Sequence, residues 1–353
     1  MTTRLSELTT TRVGGPALEL HAPEDRAALV AVARELFAEH DEVVVLGGGS
    51  NTIAGDGEVE TPVLHVRTRG RELVQDREDE VGTVLVRAEA GEPWPELVGW
   101  CVAQGWAGVE ALSGIPGSAG AAPVQNIGAY GQEVSGALRR IEFLDARSGE
   151  VSWLPAERLG FGYRSSALKR GELRGLVLRI ELELLDAGDG LSAPIVFPQL
   201  AAALGCEPGE RLPLARVREE VLRLRAAKGM VLDPDDPDSV SSGSFFMNPV
   251  VSRGFALELP ADAPRFEAPP AEDGTEQTKL SAAWLIERAG VPRGFALPGS
   301  RAAISAKHTL AITNRGGASA EQVLELARYV RARVESEFGV RLFPEPVLLG
   351  AEL

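Results

Sequence analysis

The sequence predicts an α+β protein with more than one domain, on three observations. A helical stretch over Glu24–His40 runs into a β-branched strand and a glycine-rich turn. A strand-rich middle ends in the long Leu176–Leu185 run. A capped helix over 319–339 then closes a second helix-and-strand region. At roughly 100–200 residues per domain, 353 residues predict two or three domains.

In order along the chain, the first helix carries acids at its start and Leu29, Val32, Ala33 and Leu36 on one stripe. Strands are expected at Val43–Leu46, Pro62–Thr68 and Val81–Gly91, and a helix at Pro93–Gly105 closed by glycine. RRIEFLDARSGEV reads as a hairpin turning at Arg147-Ser148-Gly149. In Leu176–Leu185 apolar and charged residues alternate, which predicts one solvated face. Asp186–Leu191 reads as a break, and Leu214–Ala227 as a helix. Asp233–Asp238 must be a loop, because DPDDPD suits neither helix nor strand. Pro260–Glu276, rich in proline and acid, reads as an exposed excursion. LSAAWLIERAG gives a short helix ending at Gly290. Ser319 with Gln322 three residues later forms a capping box for the last helix, which Gly339 stops.

Composition narrows the functional classes. The hydrophobic content of 44% and charged content of 25% are those of a globular protein. Cys101 and Cys206 stand apart from any cysteine or histidine cluster, so neither a disulfide scaffold nor a zinc site is expected. The opening residues lack the apolar core of a signal peptide, and no run approaches the ~18 apolar residues of a membrane span. A reducing cytoplasm is the expected compartment. The net charge of −15 repels nucleic acid and anionic lipid, so neither is expected as a partner. An anionic small ligand would need positive groups gathered locally, and lysine occurs only at positions 169, 228, 279 and 307.

Several motifs carry chemistry. GGGSN (Gly47, Gly48, Gly49, Ser50, Asn51) follows a strand. Consecutive glycines let main-chain N–H groups approach a phosphate, while a tight turn explains the same residues equally well. The tract SGIPGSAGAAPVQNIGAYG runs from Ser113 to Gly131. So many small residues forgo burial, and a flat, elongated ligand lying against the main chain compensates, held by amides and by Gln125, Asn126 and Tyr130. Ile115, Val124 and Ile127 within it argue against a flexible linker. Tyr163-Arg164 sets a phenol beside a guanidinium, which surface packing also explains. Ser244 lies either on a core-edge strand or in a dry pocket. Glu345, between two prolines, is either an acid of raised pKa or a solvated carboxylate.

Taken in order, TRVGGPA, GGGSN, GIPGSAGAAPVQNIGAYG, GYRSS, GSFFMNP, AWLIERAG, KHTLAITNRGGAS and LFPEPVLLG closely resemble the UDP-N-acetylenolpyruvoylglucosamine reductase family. That resemblance implies a PCMH-type FAD-binding region of two α/β subdomains, 1–70 and 71–225, and an α+β substrate-binding domain, 226–353, whose last residues have the option of packing back on the FAD region. It implies non-covalent FAD, with NADPH as co-substrate. The flavin diphosphate is expected along Gly47–Asn51 and the tract residues Ser113, Gly114, Ile115, Pro116, Gly117, Gly120, Gln125, Asn126, Gly128, Ala129 and Tyr130. Arg164, Ser244 and Glu345 match the family's catalytic positions. Tyr163, Lys228 and Asn248 match substrate-binding positions, the last two at the substrate diphosphate. A monomer is expected.

Two departures stand out. Phe197 occupies the place of the family's substrate-capping tyrosine, and Met247 that of a common lysine. The implied substrate, UDP-N-acetylglucosamine enolpyruvate, is a vinyl ether conjugated to a carboxylate. Hydride added to its terminal carbon builds negative charge on C2 and the carboxylate. Arg164 suits that charge because its planar fork keeps its proton, Glu345 helps to polarise the carboxylate, and Ser244 supplies the C2 proton. A related flavin oxidase of an alcohol or hydroxy acid, and a non-catalytic sugar-nucleotide sensor, are the competing readings. The many oxidases with flavin attached through His or Cys find no such residue in GGGSN or the Ser113–Gly131 tract.

Overall fold

The computed structural model describes residues 3–74, 82–186, 188–271 and 273–353, and divides into two compact units. One comprises Ala17–Gly49 and Glu60–Ala227. The other comprises Met1–Pro16, Ser50–Val59 and Lys228–Leu353. Residues 1–16 and 50–59, which sequence order groups with the first α/β region, therefore cluster with the C-terminal residues.

The Ala17–Gly49/Glu60–Ala227 unit opens with a small parallel sheet in the order Leu20–His21, Val63–His65, Val44–Leu46. The helix Arg26–Glu39 is capped by Asp25, whose carboxylate accepts the Ala28 N–H at 2.9 Å, and buries Leu29, Ala33 and Leu36 at helical spacing. A five-stranded antiparallel sheet follows, ordered Val151–Pro155, Leu138–Asp145, Gly175–Leu185, Thr83–Glu89, Arg71–Leu73. Val81, the expected start of the Thr83–Glu89 strand, lies outside the described residues. The helix Trp94–Ala103 buries Trp94, Leu97, Val98 and Cys101 against this sheet's core. Asp145 fixes the hairpin turn by accepting the N–H groups of Arg147 and Ser148 at 3.0 and 2.8 Å.

The face expected to be solvated in Leu176–Leu185 is only partly so. Glu181 is fully buried, holding Arg87 at 2.7 Å and Arg140 at 2.5 Å. Glu142 on the neighbouring strand holds Arg26 and Arg179 at 2.8 and 2.7 Å. The guanidinium groups of Arg87, Arg140 and Arg179 lie 4.5–5.5 Å from the ring centre of Trp153. The charged positions satisfy one another across strands, burying Glu181 and Glu142 while their arginine partners keep some contact with water, which a one-strand pattern does not reveal.

The Lys228–Leu353 unit has its own core. The antiparallel strands Ser241–Ser244, Ala311–Asn314 and Ala302–Ile304 form one sheet. Against it packs the helix Ala320–Phe338, with the capping box at Ser319 and Gln322 formed and Gly339 as a left-handed stop. A second sheet is ordered Val250–Ser252, Gln277–Leu280, Arg265–Glu267. Pro260–Glu276 is thus more than an excursion, since Arg265–Glu267 pairs within it. Val347–Leu349 runs parallel to Thr52–Ala54, which explains why residues 50–59 belong to this unit.

Candidate active site

In the Ala17–Gly49/Glu60–Ala227 unit, the glycine turn and the small-residue tract meet main chain to main chain. A Cβ on Gly48 would lie 2.7 Å from the Gly117 Cα, and one on Gly47 would lie 2.5 Å from the Ser118 Oγ. Close approach of two loops therefore favours glycine at both positions, and the next element is the strand Thr52–Ala54 rather than a helix, so a strand-to-helix turn is not what these glycines serve. Beside the junction is a cavity of about 180 Å³, lined by Val45, Gly47, Val66, Ser118, Gly120 and Val177 among others. Of the expected flavin residues, Gly47 and Gly120 line it. Val45 and Val66 were not singled out by sequence, because apolar residues in or beside strands give no ligand signal; Ser118 lies within the Ser113–Gly131 tract but was not named. His65 was also missed. Burial first, then Arg67 and Arg69, hold its pKa below the ordinary histidine value, against a bond to the Gly47 main chain.

The rest of the tract is firmly placed. Ser113 is 1% exposed, and its Oγ has no hydrogen-bond partner among the described residues. Ile115 packs on the sheet core. Asn126 gives its amide to the fold: Nδ2 donates to Glu133 at 2.8 Å and Oδ1 accepts the Ser135 N–H at 3.1 Å. Gly128–Ala129 pairs with Gln132–Glu133.

Asn126, Tyr130 and Arg164 are three of the four described non-glycine residues with positive φ, at 49°, 48° and 51°. Such backbone persists only where its surroundings over-determine it, and it concentrates at functional sites. Arg164 donates to the carbonyls of Asn126 and Gly128 at 3.3 and 2.7 Å, with its guanidinium 5.7 Å from the ring centre of Tyr163. Tyr130 meets Phe197 edge to face at 5.8 Å; Phe197 precedes the helix Pro198–Leu204, which sequence reading did not predict. Arg225, at the end of the helix Leu214–Ala226, is pulled down to about 10 by burial and by Arg164, while Tyr130 opposes the shift.

In the Lys228–Leu353 unit, main-chain pairing brings Ser244 and Glu345 into neighbouring positions. The Glu345 N–H donates to the Phe245 carbonyl at 2.8 Å, Met247 to Phe343 at 3.0 Å, and Phe246 bridges Pro344. Buried Phe245 and Phe246, with ring centres 5.0 Å apart, anchor the segment that presents Ser244. Asn51 Nδ2 donates to the Glu345 carbonyl at 3.3 Å, so GGGSN is divided: Ser50 and Asn51 belong to this unit, and the three glycines to the other. Asn248 Oδ1 accepts the Ala282 N–H at 2.9 Å, which fixes the orientation of its amide.

The acidic loop is stitched to the segment around His308. Asp236 holds Lys307 at 2.8 Å, and Asp238 accepts from Ala306 N–H and Arg315, both at 2.9 Å. Gly229, at φ 66°, packs against the Asp238 carbonyl and so fixes the chain directly after Lys228. Burial, then Lys228 and Arg293, pull the His308 pKa to about 4, with Glu287 opposing. Lys228 and Arg293 thus set positive charge beside a neutral His308, the local positive setting that an anionic ligand requires in an acidic protein. His308 and Arg293 were not among the residues predicted, since nothing local in sequence links them to Lys228. Among the described residues no cluster of His, Cys, Asp and Glu could hold a metal, and no helix is long and apolar enough to cross a membrane.

Comparison with known proteins places these two units in a flavoprotein class. The family model described as FAD binding domain matches residues 18–154. The one described as UDP-N-acetylenolpyruvoylglucosamine reductase, C-terminal domain, matches 235–349. The UDP-N-acetylenolpyruvoylglucosamine reductase of Leifsonia xyli is 55% identical over 99% of this chain and 98% of its own length; that of Nocardia farcinica is 49% identical over 99% and 89%. The crystal structure of the Thermus caldophilus enzyme superposes with a TM-score of 0.63 at 28% identity, covering 99% of this chain and 98% of that one. The chain belongs to the UDP-N-acetylenolpyruvoylglucosamine reductase family.

Proposed function

We infer that the chain uses NADPH and bound FAD to reduce UDP-N-acetylglucosamine enolpyruvate to UDP-N-acetylmuramate, a step of peptidoglycan precursor synthesis. The observation that carries this reading is the match at 55% identity along 99% of the chain, spanning both units. The residues present suit part of FAD: a cavity of about 180 Å³ bordered by Gly47 and Gly120 takes one end of a flat ligand, and elsewhere on the tract the buried Ser113 hydroxyl has no partner among the described residues. When bound, FAD supplies hydride transfer from NADPH to the enolpyruvyl carbon–carbon double bond.

The chain's own residues do the rest. Arg164, steadied by two carbonyls, meets the carboxylate charge that grows during reduction. Ser244 donates a proton to C2, and Glu345 on the adjoining segment polarises the substrate carboxylate. Lys228 and Asn248 take the diphosphate, while Tyr163 and Phe197 border the sugar nucleotide. We assign the protein to the cytoplasm as a monomer. The test is a visible spectrum of the purified protein. A yellow protein, bleached by NADPH and recoloured without oxygen by the enolpyruvyl sugar nucleotide, agrees with this function. A colourless protein, or recolouring by an alcohol and not by the sugar nucleotide, overturns it.

A further inference from the structure

Two stretches distinctive in sequence, TRVGGPA and the NRGGAS end of KHTLAITNRGGAS, take no part in the chemistry above, and within the unit that holds Lys228–Leu353 they meet. Asn314, 4% exposed, uses its whole amide at the junction. Its Nδ2 donates to the carbonyls of Thr11 and Arg12 at 3.0 and 3.3 Å, and its Oδ1 accepts the N–H groups of Gly316 and Ala318, both at 2.9 Å.

The segment so held is strained. Arg12 has φ 55°, in the left-handed region that arginine rarely adopts. Thr11 is fully buried, and its hydroxyl has no hydrogen-bond partner among the described residues. Thr9 closes the turn around them: its carbonyl accepts the Arg12 N–H at 3.2 Å, and its hydroxyl donates to the Val13 carbonyl at 3.0 Å. Backbone strain of this kind is kept in place by its surroundings and gathers near functional sites.

The turn reaches the serine strand. Thr10, within it, donates its hydroxyl to the Ser241 carbonyl at 2.7 Å, and the Asn314 N–H donates to the Val240 carbonyl at 2.9 Å. Both sides of the junction therefore grip the start of Ser241–Ser244, which lies at the edge of its sheet. The far end is fixed separately, by the Phe245 N–H on the Leu310 carbonyl at 2.7 Å and by the buried rings of Phe245 and Phe246, whose core Val13 shares. Between these anchors the pairing is irregular: Gly243 has φ 79°, and its N–H donates to the Ser241 hydroxyl at 3.2 Å. A bulge re-aims the side chain beside it according to where the flanking pairs are held, and Ser244 is the residue that follows.

We propose that Thr10 and Asn314 are positioning residues for Ser244: their grip on Val240 and Ser241 fixes the upstream end of the bulge, and with it the direction in which the Ser244 hydroxyl is presented. This rests on the proton-donor role given to Ser244 above. Both residues act through the strand.

The test is Thr10→Val in the full-length, flavin-loaded protein, which keeps the side chain's shape and removes its hydroxyl; Thr10→Ser restores the hydroxyl. Asn314 is less suited, since a buried amide with four hydrogen bonds governs folding as well. Hydrogen–deuterium exchange over Ser241–Phe245, which needs no turnover, should quicken about tenfold in Thr10→Val. Stopped-flow reoxidation of the flavin by the enolpyruvyl sugar nucleotide should slow about three- to tenfold, with reduction by NADPH unchanged. Thr10→Ser should match the native protein in both. Unchanged exchange, or equal slowing of the two half-reactions, overturns the proposal. Quickened exchange with normal reoxidation overturns it as well. Ser244→Ala in the same assay then tells which part has failed, since only failure of the proton-donor role leaves that variant normal too.

Discussion

Ser244 follows a bulge in its strand's pairing with Ala311–Asn314 and precedes two buried phenylalanines, so strand pairing and the phenylalanine anchors position its backbone. In the proposed role of proton donor it would act after hydride transfer. Ser244→Ala should therefore leave NADPH reduction of the flavin unchanged and slow reoxidation by substrate about 10²–10⁴-fold. Stopped-flow absorbance separates the two half-reactions, and equal slowing of both would remove the assignment. His308 makes a different prediction. Its folded pKa of about 4 lies below the ordinary ~6.5, so between those values the unfolded chain takes up a proton that the folded chain refuses. Its contribution is complete above about pH 6.5 and declines as pH falls toward 4, by on the order of 3 kcal/mol. Urea midpoints over that window should fall more steeply for the native sequence than for His308→Gln, and parallel curves would show that His308 titrates normally.

Among the elements, those whose signal is local were legible in sequence. The 3.6-residue stripes of the first and last helices, their caps, and the Asp145 turn need only neighbouring residues. The ion-pair face of Leu176–Leu185 was misread because its satisfaction comes from Arg87 and Arg140 on other strands. Ser244 and Glu345 were legible through their motifs, but the Phe245–Glu345 main-chain bond that sets them side by side joins distant parts of the chain. Likewise the reason for Gly48 lies at Gly117. Two substitutions test these elements. Glu181→Gln leaves two partly exposed guanidinium groups facing a neutral amide and should cost about 1–3 kcal/mol in denaturant unfolding. Gly48→Ala forces the two loops apart; about 1–3 kcal/mol should be lost, together with retained flavin colour. A variant that loses stability and keeps full colour would place the flavin away from this junction.

At the scale of the whole molecule, each unit has its own buried core, so flavin binding should stabilise the units unequally. A ligand that binds only the folded state adds about 2.7 kcal/mol at a free concentration of 100 times its Kd. For a unit of about 200 residues that corresponds to a rise in Tm of roughly 5–10 °C. The cavity and the Ser113 hydroxyl belong to the Ala17–Gly49/Glu60–Ala227 unit, whereas Ser50 and Asn51 belong to the other. Calorimetry of the flavin-loaded and flavin-stripped protein should therefore resolve two transitions, with only the one from the larger unit falling on stripping. If both transitions fall by the same amount, Ser50 and Asn51 carry flavin contacts comparable to those of the glycine turn, and the division of GGGSN is a division of the binding energy itself.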